Sequence, residues 1–338
     1  MAEADIAIIA DSLEKTYYRG SFPRRTPSVK ALRGLSFKVR RGEVYGLLGP
    51  NGAGKTTTVK IISTLMVPDK GEAYVSGYNV VNEFAEVRKR IGVMLSVERG
   101  FFWKLTGREN LRYFGLLYGL SGRELEERID WALDTVGLRE LGGDNKFFED
   151  MSLGMRARLG LARVLLKDPE IMILDEPTLG LDPHSARHIR RLLRLEARNG
   201  KTVLVTTHNM FEAEILCDRV GIIRSGRVIA EGTPEELKGL VSKSTPITVL
   251  LKTFDEPLLQ ELVARLSRDD VRVDYERVEP GKWKLNLLVP RGLEDEVLAE
   301  VYVKARGLGL RVLETRVREV TLEDVFIALT GEDAGKAG

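Results

Sequence analysis

The chain has 338 residues, more than most single domains contain, so we expect two domains. Its 52 Lys and Arg against 50 Asp and Glu leave a formal net charge of +2, which gives no general case for nucleic-acid binding. No stretch approaches the roughly 18 uncharged apolar residues of a membrane span, and no signal-peptide pattern opens the chain. The single cysteine, Cys217, excludes an internal disulfide, and we expect a small buried side chain in an intracellular protein.

The first predicted elements are strands at 6–13 and 35–39. Tyr17 and Tyr18 come before a loop at 19–28 that carries three arginines and two prolines. A tyrosine ring here could stack on an adenine, and a tyrosine half buried at a strand end is an equally good interpretation. The basic loop is expected to be a solvated surface, or to meet acidic lipid headgroups if it lies beside a membrane.

A glycine-rich stretch at 49–56 then fits the pattern G-x-x-x-x-G-K-[ST]. A buried strand pattern at 43–48 precedes it and a helical pattern follows it from Thr57, which is the strand-loop-helix context that the motif requires. Glycines without a Cβ let successive backbone N–H groups point at a phosphate. Lys55 would reach the β- and γ-phosphates and Thr56 would offer its hydroxyl to Mg²⁺. The stretch therefore predicts a nucleotide phosphate cradle.

The middle of the chain alternates strand and helix patterns. Strands are predicted at 71–75 and 90–95, and apolar residues recur at helical spacing over 110–142, which indicates a helical insert. Phe101, Phe102 and Trp103 lie just before the insert, either as a contact surface or as part of the core.

Carboxylates and a histidine follow later strands. Ser152 is predicted to cap a helix that ends near Lys167, and the strand at 171–174 ends in Asp175 and Glu176. A turn at 180–183 starts a helix over 185–198, His208 follows a strand at 202–206, and a hairpin is predicted at 220–230. Paired carboxylates at a strand end lie where α/β sheets bind ligands.

In this order the motifs resemble those of ATP-binding cassette (ABC) ATPases, over about residues 5–235. They are GPNGAGKTT at 49–57, MSLGM at 151–155 where the family has LSGGQ, ILDEP at 173–177, LGLD at 179–182 and TTH at 206–208. The resemblance implies an α/β fold, a P-loop NTPase cassette with a mixed sheet and a helical subdomain at about 97–165, and it implies an ATPase with ATP and Mg²⁺ as cofactors.

The resemblance also implies roles for individual residues. Asp175 helps to hold Mg²⁺ with Thr56, Glu176 polarises the attacking water, and His208 contacts the γ-phosphate and that water. Such residue types suit phosphoryl transfer, which needs charge neutralisation and an aligned nucleophile. The nucleotide contacts implied in the cradle are Tyr17, Gly49, Asn51, Gly52, Ala53, Gly54, Lys55, Thr56 and Thr57. By contrast, His184 and His188 lie on a charged helical pattern and are expected to be solvated.

In the family, the serine and glycine of the second motif bind the γ-phosphate held by another cassette. Ser152 and Gly154 therefore predict a homodimer or heterodimer of cassettes around ATP, with Asp182 at the same interface.

Two departures from the family motifs stand out. Ser96 replaces the family's phosphate-sensing glutamine, which puts metal sensing or coupling in question unless Glu98 or a water substitutes. Leu153 and Met155 vary the second motif as the drug-export branch of the family does.

A second α+β domain is expected over 236–338. Residues 247–318 alternate as β-α-β-β-α-β, with strands at 247–252, 271–278, 283–289 and 310–317 and helices at 257–266 and 293–305. That order is typical of a ferredoxin-like fold. The tail at 321–326 resembles the C-terminal tails of subunits that export drugs or other hydrophobic compounds. Dimer support or regulation is the expected role of this domain, with a small-ligand sensor as the alternative.

Together these features predict an ATP-hydrolysing subunit at the cytoplasmic face of the cell membrane, bound peripherally to a separately encoded transmembrane permease that exports drugs or other hydrophobic compounds. No nucleic-acid partner is expected. One alternative is a soluble ABC-type switch acting on ribosomes or DNA. Another, suggested by Ser96, is a module that senses ATP without efficient hydrolysis.

Overall fold

A computed structural model describes residues 5–19, 26–96, 100–241, 244–318 and 320–330. The chain divides into two compact units, Met1–Pro234 and Glu235–Gly338. Among the described residues, no helix combines the length and the apolar composition that crossing a bilayer requires.

One sheet of the first unit is antiparallel, with strand order β2-β1-β4-β5. Its members are β1 (Ile6–Arg19), β2 (Thr26–Arg40), β4 (Lys70–Val75) and β5 (Tyr78–Asn79). β1 and β2 are much longer than predicted and pair along their whole length through several register shifts. Tyr17 and Tyr18 are therefore strand residues. The predicted basic loop falls partly at 20–25, outside the described residues.

The other sheet of this unit has the order β10-β9-β3-β8-β7-β6. Its members are β3 (Val44–Leu48), β6 (Ile91–Met94), β7 (Ile171–Asp175), β8 (Thr202–Thr207), β9 (Arg219–Arg224) and β10 (Arg227–Gly232). All pairs are parallel except the β9–β10 hairpin. Every residue of β3, β7 and β8 is buried, as their near-continuous apolar runs require. The expected mixed α/β sheet is confirmed.

In the described part of the first unit, seven α-helices connect these strands. They are α1 (Lys55–Ile62), α2 (Phe84–Arg90), α3 (Gly107–Leu117), α4 (Gly122–Thr135), α5 (Leu153–Leu166), α6 (Pro183–Arg198) and α7 (Met210–Leu216). α3 and α4 form the predicted helical insert, and a capping box between Thr106 and Glu109 starts α3. Just before it, Phe101 is buried and stacks on Phe148 at 4.9 Å, whereas Phe102 and Trp103 are about half exposed.

The helix α8 (Pro234–Gly239) begins at the last residue of the first unit and continues into the second. The other elements of the second unit are β11 (Ser244–Lys252), α9 (Glu256–Leu266), β12 (Arg272–Glu279), β13 (Lys282–Pro290), α10 (Glu294–Gly307), β14 (Arg311–Val317) and α11 (Leu322–Thr330). Its antiparallel sheet has the order β12-β13-β11-β14. Apolar residues of α9 and α10 and alternate residues of β11 and β13 form one core. β13 alternates between buried and half-buried residues, so one face of the sheet carries that core.

Candidate nucleotide and catalytic site

The glycine-rich stretch lies where β3 ends and α1 begins, and its backbone leaves no room for side chains at two positions. A Cβ on Gly49 would lie 2.3 Å from the carbonyl oxygen of Ile223. Gly54 has a φ of +113°, and a Cβ there would lie 2.8 Å from the carbonyl oxygen of Ala31. Because α1 starts at Lys55, its first N–H groups have no partners within the helix and border the loop. Such a backbone is suited to bind phosphate.

Lys55 is buried and its ammonium group is held at the loop. Its Nζ donates to the carbonyl oxygens of Gly49 at 2.6 Å and Pro50 at 3.2 Å. It also lies 3.2 Å from Oε1 of Glu176, with side-chain exposures of 6% for Lys55 and 17% for Glu176. A desolvated cation beside a loop of glycines is suited to bind an anion of high charge.

The loop opens on a cavity of about 350 Å³. Its lining includes Tyr17, Glu176 and all cradle residues of 50–57 except Ala53, which is buried in the core. The Tyr17 hydroxyl lies 3.2 Å from Oγ1 of Thr57, so the tyrosine contacts the first turn of α1. Val29 and Ala31 of β2 also line the cavity. The sequence did not predict either of them as a lining residue, because its strand pattern began only at residue 35.

Asp175 is the last residue of β7, where it pairs with Thr206 of β8, and Glu176 follows it directly. Asp175 is buried and its Oδ1 accepts a hydrogen bond from the Thr206 hydroxyl. Glu176 has a φ of +50°, and its N–H donates to the carbonyl oxygen of Thr206 at 3.1 Å. A left-handed backbone at a residue other than glycine is strained, and such strain collects at functional sites. The strained backbone of Glu176 therefore indicates that the direction of its side chain is important for function.

His208 follows β8 and completes a row of three side chains with Lys55 and Glu176. Its Nδ1 lies 2.9 Å from Oε2 of Glu176, and because a carboxylate only accepts, Nδ1 carries the proton in this contact. The Glu176 carboxylate therefore lies between the ammonium of Lys55 and the imidazole of His208. The structure brings together the three residues that the sequence assigned to catalysis.

Ser152, Gly154 and Asp182 form a separate group around the first turns of α5 and α6, and none of them lines the cavity. Ser152 Oγ accepts from the N–H of Met155 at 3.3 Å, as the predicted N-cap. Asp182 caps α6 by accepting from the N–H groups of His184 and Ser185. Hydrogen bonds from Ser185 lower the pKa of Asp182. A Cβ on Gly154 would lie 2.5 Å from Ser185 Oγ, so the two helix starts are closely packed.

Three further residues bear on the predictions. The prediction that His188 is solvated is wrong, because its Nε2 lies 2.9 Å from the carbonyl oxygen of Val136 and 3.1 Å from the Arg158 guanidinium. Burial and the Arg158 charge lower the pKa of His188. His184 is exposed, as expected. Ser96 follows β6 and is partly buried, while Glu98 lies outside the described residues.

Comparison with known proteins assigns the chain to a family. The family model described as ABC transporter matches residues 32–179. The chain is 40% identical over 330 residues to the daunorubicin resistance ATP-binding protein DrrA3 of Streptomyces coeruleorubidus, which covers 98% of both chains. It is 35% identical over 300 residues to the linearmycin resistance ATP-binding protein LnrL of Bacillus subtilis (strain 168), covering 89% of this chain and 93% of that one.

Solved structures agree with these relatives. The ATP-binding cassette MJ0796, a dimer in a post-hydrolysis state with ADP and Pi, superposes with a TM-score of 0.59 at 28% identity, covering 67% of this chain and 98% of that one. A glycine-rich loop with a lysine, a strained glutamate and a histidine is thus found in a chain that is similar to ATP-binding and ABC transporter proteins over nearly its whole length. The chain belongs to the ABC transporter family and is an ATP-binding subunit that hydrolyses ATP.

Proposed function

We propose that the chain binds Mg-ATP in the cradle, closes around it with a second cassette, and drives a separately encoded transmembrane permease that exports drugs or other hydrophobic compounds. The observation that carries the catalytic part is the placement of Glu176 between Lys55 and His208 at the cavity. The export part is supported by the relatives, which are named for daunorubicin and linearmycin resistance.

Each side chain of this row has a distinct task in the proposal. Lys55 binds the β- and γ-phosphates and neutralises their charge. Glu176 accepts a hydrogen bond from the attacking water and orients it, and His208 holds the carboxylate and contacts the γ-phosphate. The other cradle contacts assigned to the nucleotide are those of Tyr17, Gly49, Asn51, Gly52, Ala53, Gly54, Thr56 and Thr57.

The oxygen donors at the cradle fit a magnesium ion that is bound together with nucleotide. Thr56 lines the cavity and Asp175 ends β7, and both offer oxygen, the ligand that Mg²⁺ prefers. Among the described residues no group of three His, Cys, Asp or Glu side chains is placed to hold a metal alone. Mg²⁺ usually keeps waters and phosphate oxygens, so Thr56 and Asp175 would hold it as part of Mg-ATP, where it neutralises phosphate charge.

The second cassette would use the surface around Ser152, Gly154 and Asp182. The first turn of α5 contains no acidic residue, and a helix N-terminus favours an anion, which suits the γ-phosphate of a facing cassette. The similar solved cassette is a dimer with ADP and Pi. A homodimer or a heterodimer would place two ATP molecules between such surfaces.

The second unit, with its β-α-β-β-α-β order, is proposed to be ferredoxin-like and to support or regulate the dimer. The assembly would lie at the cytoplasmic face of the cell membrane and be held there by the permease. The alternative of a soluble switch on ribosomes or DNA is not favoured, because these relatives are named as resistance ATP-binding proteins.

The test uses a hydrolysis-deficient variant as bait. Tagged Glu176→Gln protein is expressed in its native cells, the membranes are solubilised in mild detergent with ATP and Mg²⁺, and co-purifying proteins are identified. We expect a multi-span membrane protein, with less recovered in a parallel purification of Lys55→Ala, which binds ATP poorly. Recovery of ribosomes or DNA-associated proteins without any membrane protein would contradict the proposal.

A further inference from the structure

A buried carboxylate outside the predicted site connects two loops that border it. Glu212 is the third residue of α7 and is only 3% exposed. Its Oε2 accepts a hydrogen bond from the Thr207 hydroxyl at 2.9 Å, and its Oε1 accepts one from the Thr178 hydroxyl. Within the described part of the chain no Lys, Arg or His forms an ion pair with it. A buried carboxylate held by hydroxyls alone needs a reason, because burying a charge is costly.

The two hydroxyls belong to different catalytic segments. Thr178 lies in the connection between Glu176, at the end of β7, and Asp182, which caps α6. Thr207 is the last residue of β8 and directly precedes His208. Glu212 therefore joins the segment that carries Glu176 to the segment that carries His208.

Local hydrogen bonds fix the direction of this connection. The N–H of Asn209 donates to Thr207 Oγ1 at 3.0 Å, so the Thr207 hydroxyl accepts there and directs its proton to Glu212. Asn209 Oδ1 in turn accepts from the N–H of Glu212 at 3.0 Å. Two donating hydroxyls require a group that accepts a hydrogen bond on each of two oxygens. A carboxylate is such a group.

We propose that Glu212 is a positioning residue that connects the Thr178 loop to the Thr207–His208 turn through hydrogen bonds. This connection keeps Glu176, Asp182 and His208 in fixed positions relative to one another during ATP hydrolysis. The inference rests on the proposed function for the roles of Asp182 and His208. Glu212 does not line the nucleotide cavity, so it acts through the two threonines and does not contact nucleotide. Its substitution should therefore change turnover and leave nucleotide binding unaltered.

The test is a double-substitution cycle in the full-length chain. Thr178→Val and Thr207→Val each remove one hydroxyl at nearly constant volume, and the double variant removes both. We expect each single variant to lower kcat about tenfold, as the loss of a hydrogen bond to a charged group allows, with the Kd for ADP unchanged. Because each hydroxyl is useful only while the other is present, the double variant should lose about tenfold as well.

Two controls separate positioning from general stability. Thr178→Ser keeps the hydroxyl and should restore kcat. Thr202→Val removes a buried hydroxyl from the other end of β8, where Thr202 Oγ1 accepts from the N–H of Gly42, and it should lower Tm without lowering kcat. Single-variant kcat values within twofold of the unmodified chain, or losses that multiply to about a hundredfold, would overturn the inference.

The same assay separates failure of this inference from failure of the proposed function. Glu176→Gln is measured beside the threonine variants. If it hydrolyses ATP at the unmodified rate, the proposed catalytic roles fail. If it is inactive while Thr178→Val and Thr207→Val are fully active, only the role of Glu212 fails.

Discussion

Glu176→Gln should raise the affinity of the cradle for ADP in the absence of metal. The Glu176 carboxylate lies 3.2 Å from the ammonium of Lys55, the cation assigned to the phosphates. The carboxylate therefore competes with the nucleotide for that cation, and it also repels the phosphate charge. The amide of glutamine removes both effects and keeps the size of the side chain.

The magnitude follows from the geometry of this pair. Two unit charges 3.2 Å apart attract by about 5 kcal/mol at an effective dielectric constant of about 20. Water reaches Glu176, which is 17% exposed, so only part of this attraction is expected to oppose binding. If about a quarter of the attraction opposes binding, the affinity should rise about tenfold, which corresponds to about 1.4 kcal/mol.

Isothermal titration of the full chain with ADP in the presence of EDTA measures this effect. ADP excludes turnover, and the chelator leaves only the charges of the protein and the nucleotide. Glu170→Gln is the matched control, because Glu170 precedes the other end of β7 and its removal changes the net charge equally. An unchanged or weaker ADP affinity in Glu176→Gln, or an equal gain in Glu170→Gln, would refute the reasoning.

Three other variants test separate parts of the structure. Lys55→Ala should weaken Mg-ATP binding at least tenfold in a fluorescence titration, because it removes charge-assisted contacts to phosphate, and an unchanged Kd would contradict the cradle assignment. Gly154→Ala should reduce ATP-dependent dimerisation in gel filtration while the Kd for ADP stays the same, and a lost ADP affinity would count against a dimer surface separate from the cradle. Burial raises the pKa of Asp324, but hydrogen bonds from Arg318 and Thr321 outweigh it and hold the pKa below the ordinary value of 3.8. The stabilisation of the folded state by the Asp324 carboxylate is then complete above pH 3.8 and is lost as the pH falls through the folded-state pKa. Asp324→Asn should therefore lower the free energy of unfolding by about 1 kcal/mol at pH 7 and make Tm less dependent on pH in the acid range.

The cradle and its catalytic neighbours could be predicted because their signals are local. A glycine-rich loop between a buried strand and a helix specifies its own backbone, and carboxylates that directly follow a buried strand lie at its ligand-binding edge. That Lys55, Glu176 and His208 meet depends on β3, β8 and β7 being adjacent and parallel. The sequence alone does not state this strand order, and the roles of the three residues were assigned through the family resemblance.

Features that depend on distant contacts were missed or misjudged. The β1–β2 hairpin extends well beyond the apolar alternation, because several register shifts break the two-residue period that reveals a strand. α2 has seven residues and buries only Val87, so it leaves no clear helical period. His188 looked solvated because its partner, the carbonyl of Val136, is 52 positions away. The connection through Glu212 was missed for the same reason, since Thr178 lies 34 positions from it.

Steady-state phosphate release tests the central claim most directly, namely that Glu176 is the residue that activates water at an ATP-binding cradle. The measurement compares the unmodified chain, Glu176→Gln and Glu170→Gln at saturating Mg-ATP, with binding of Mg-ATP verified for each. We predict continuous release by the unmodified chain and by Glu170→Gln, and a rate at least about a hundredfold lower for Glu176→Gln despite full binding. Turnover by Glu176→Gln within about threefold of the unmodified rate would contradict the account.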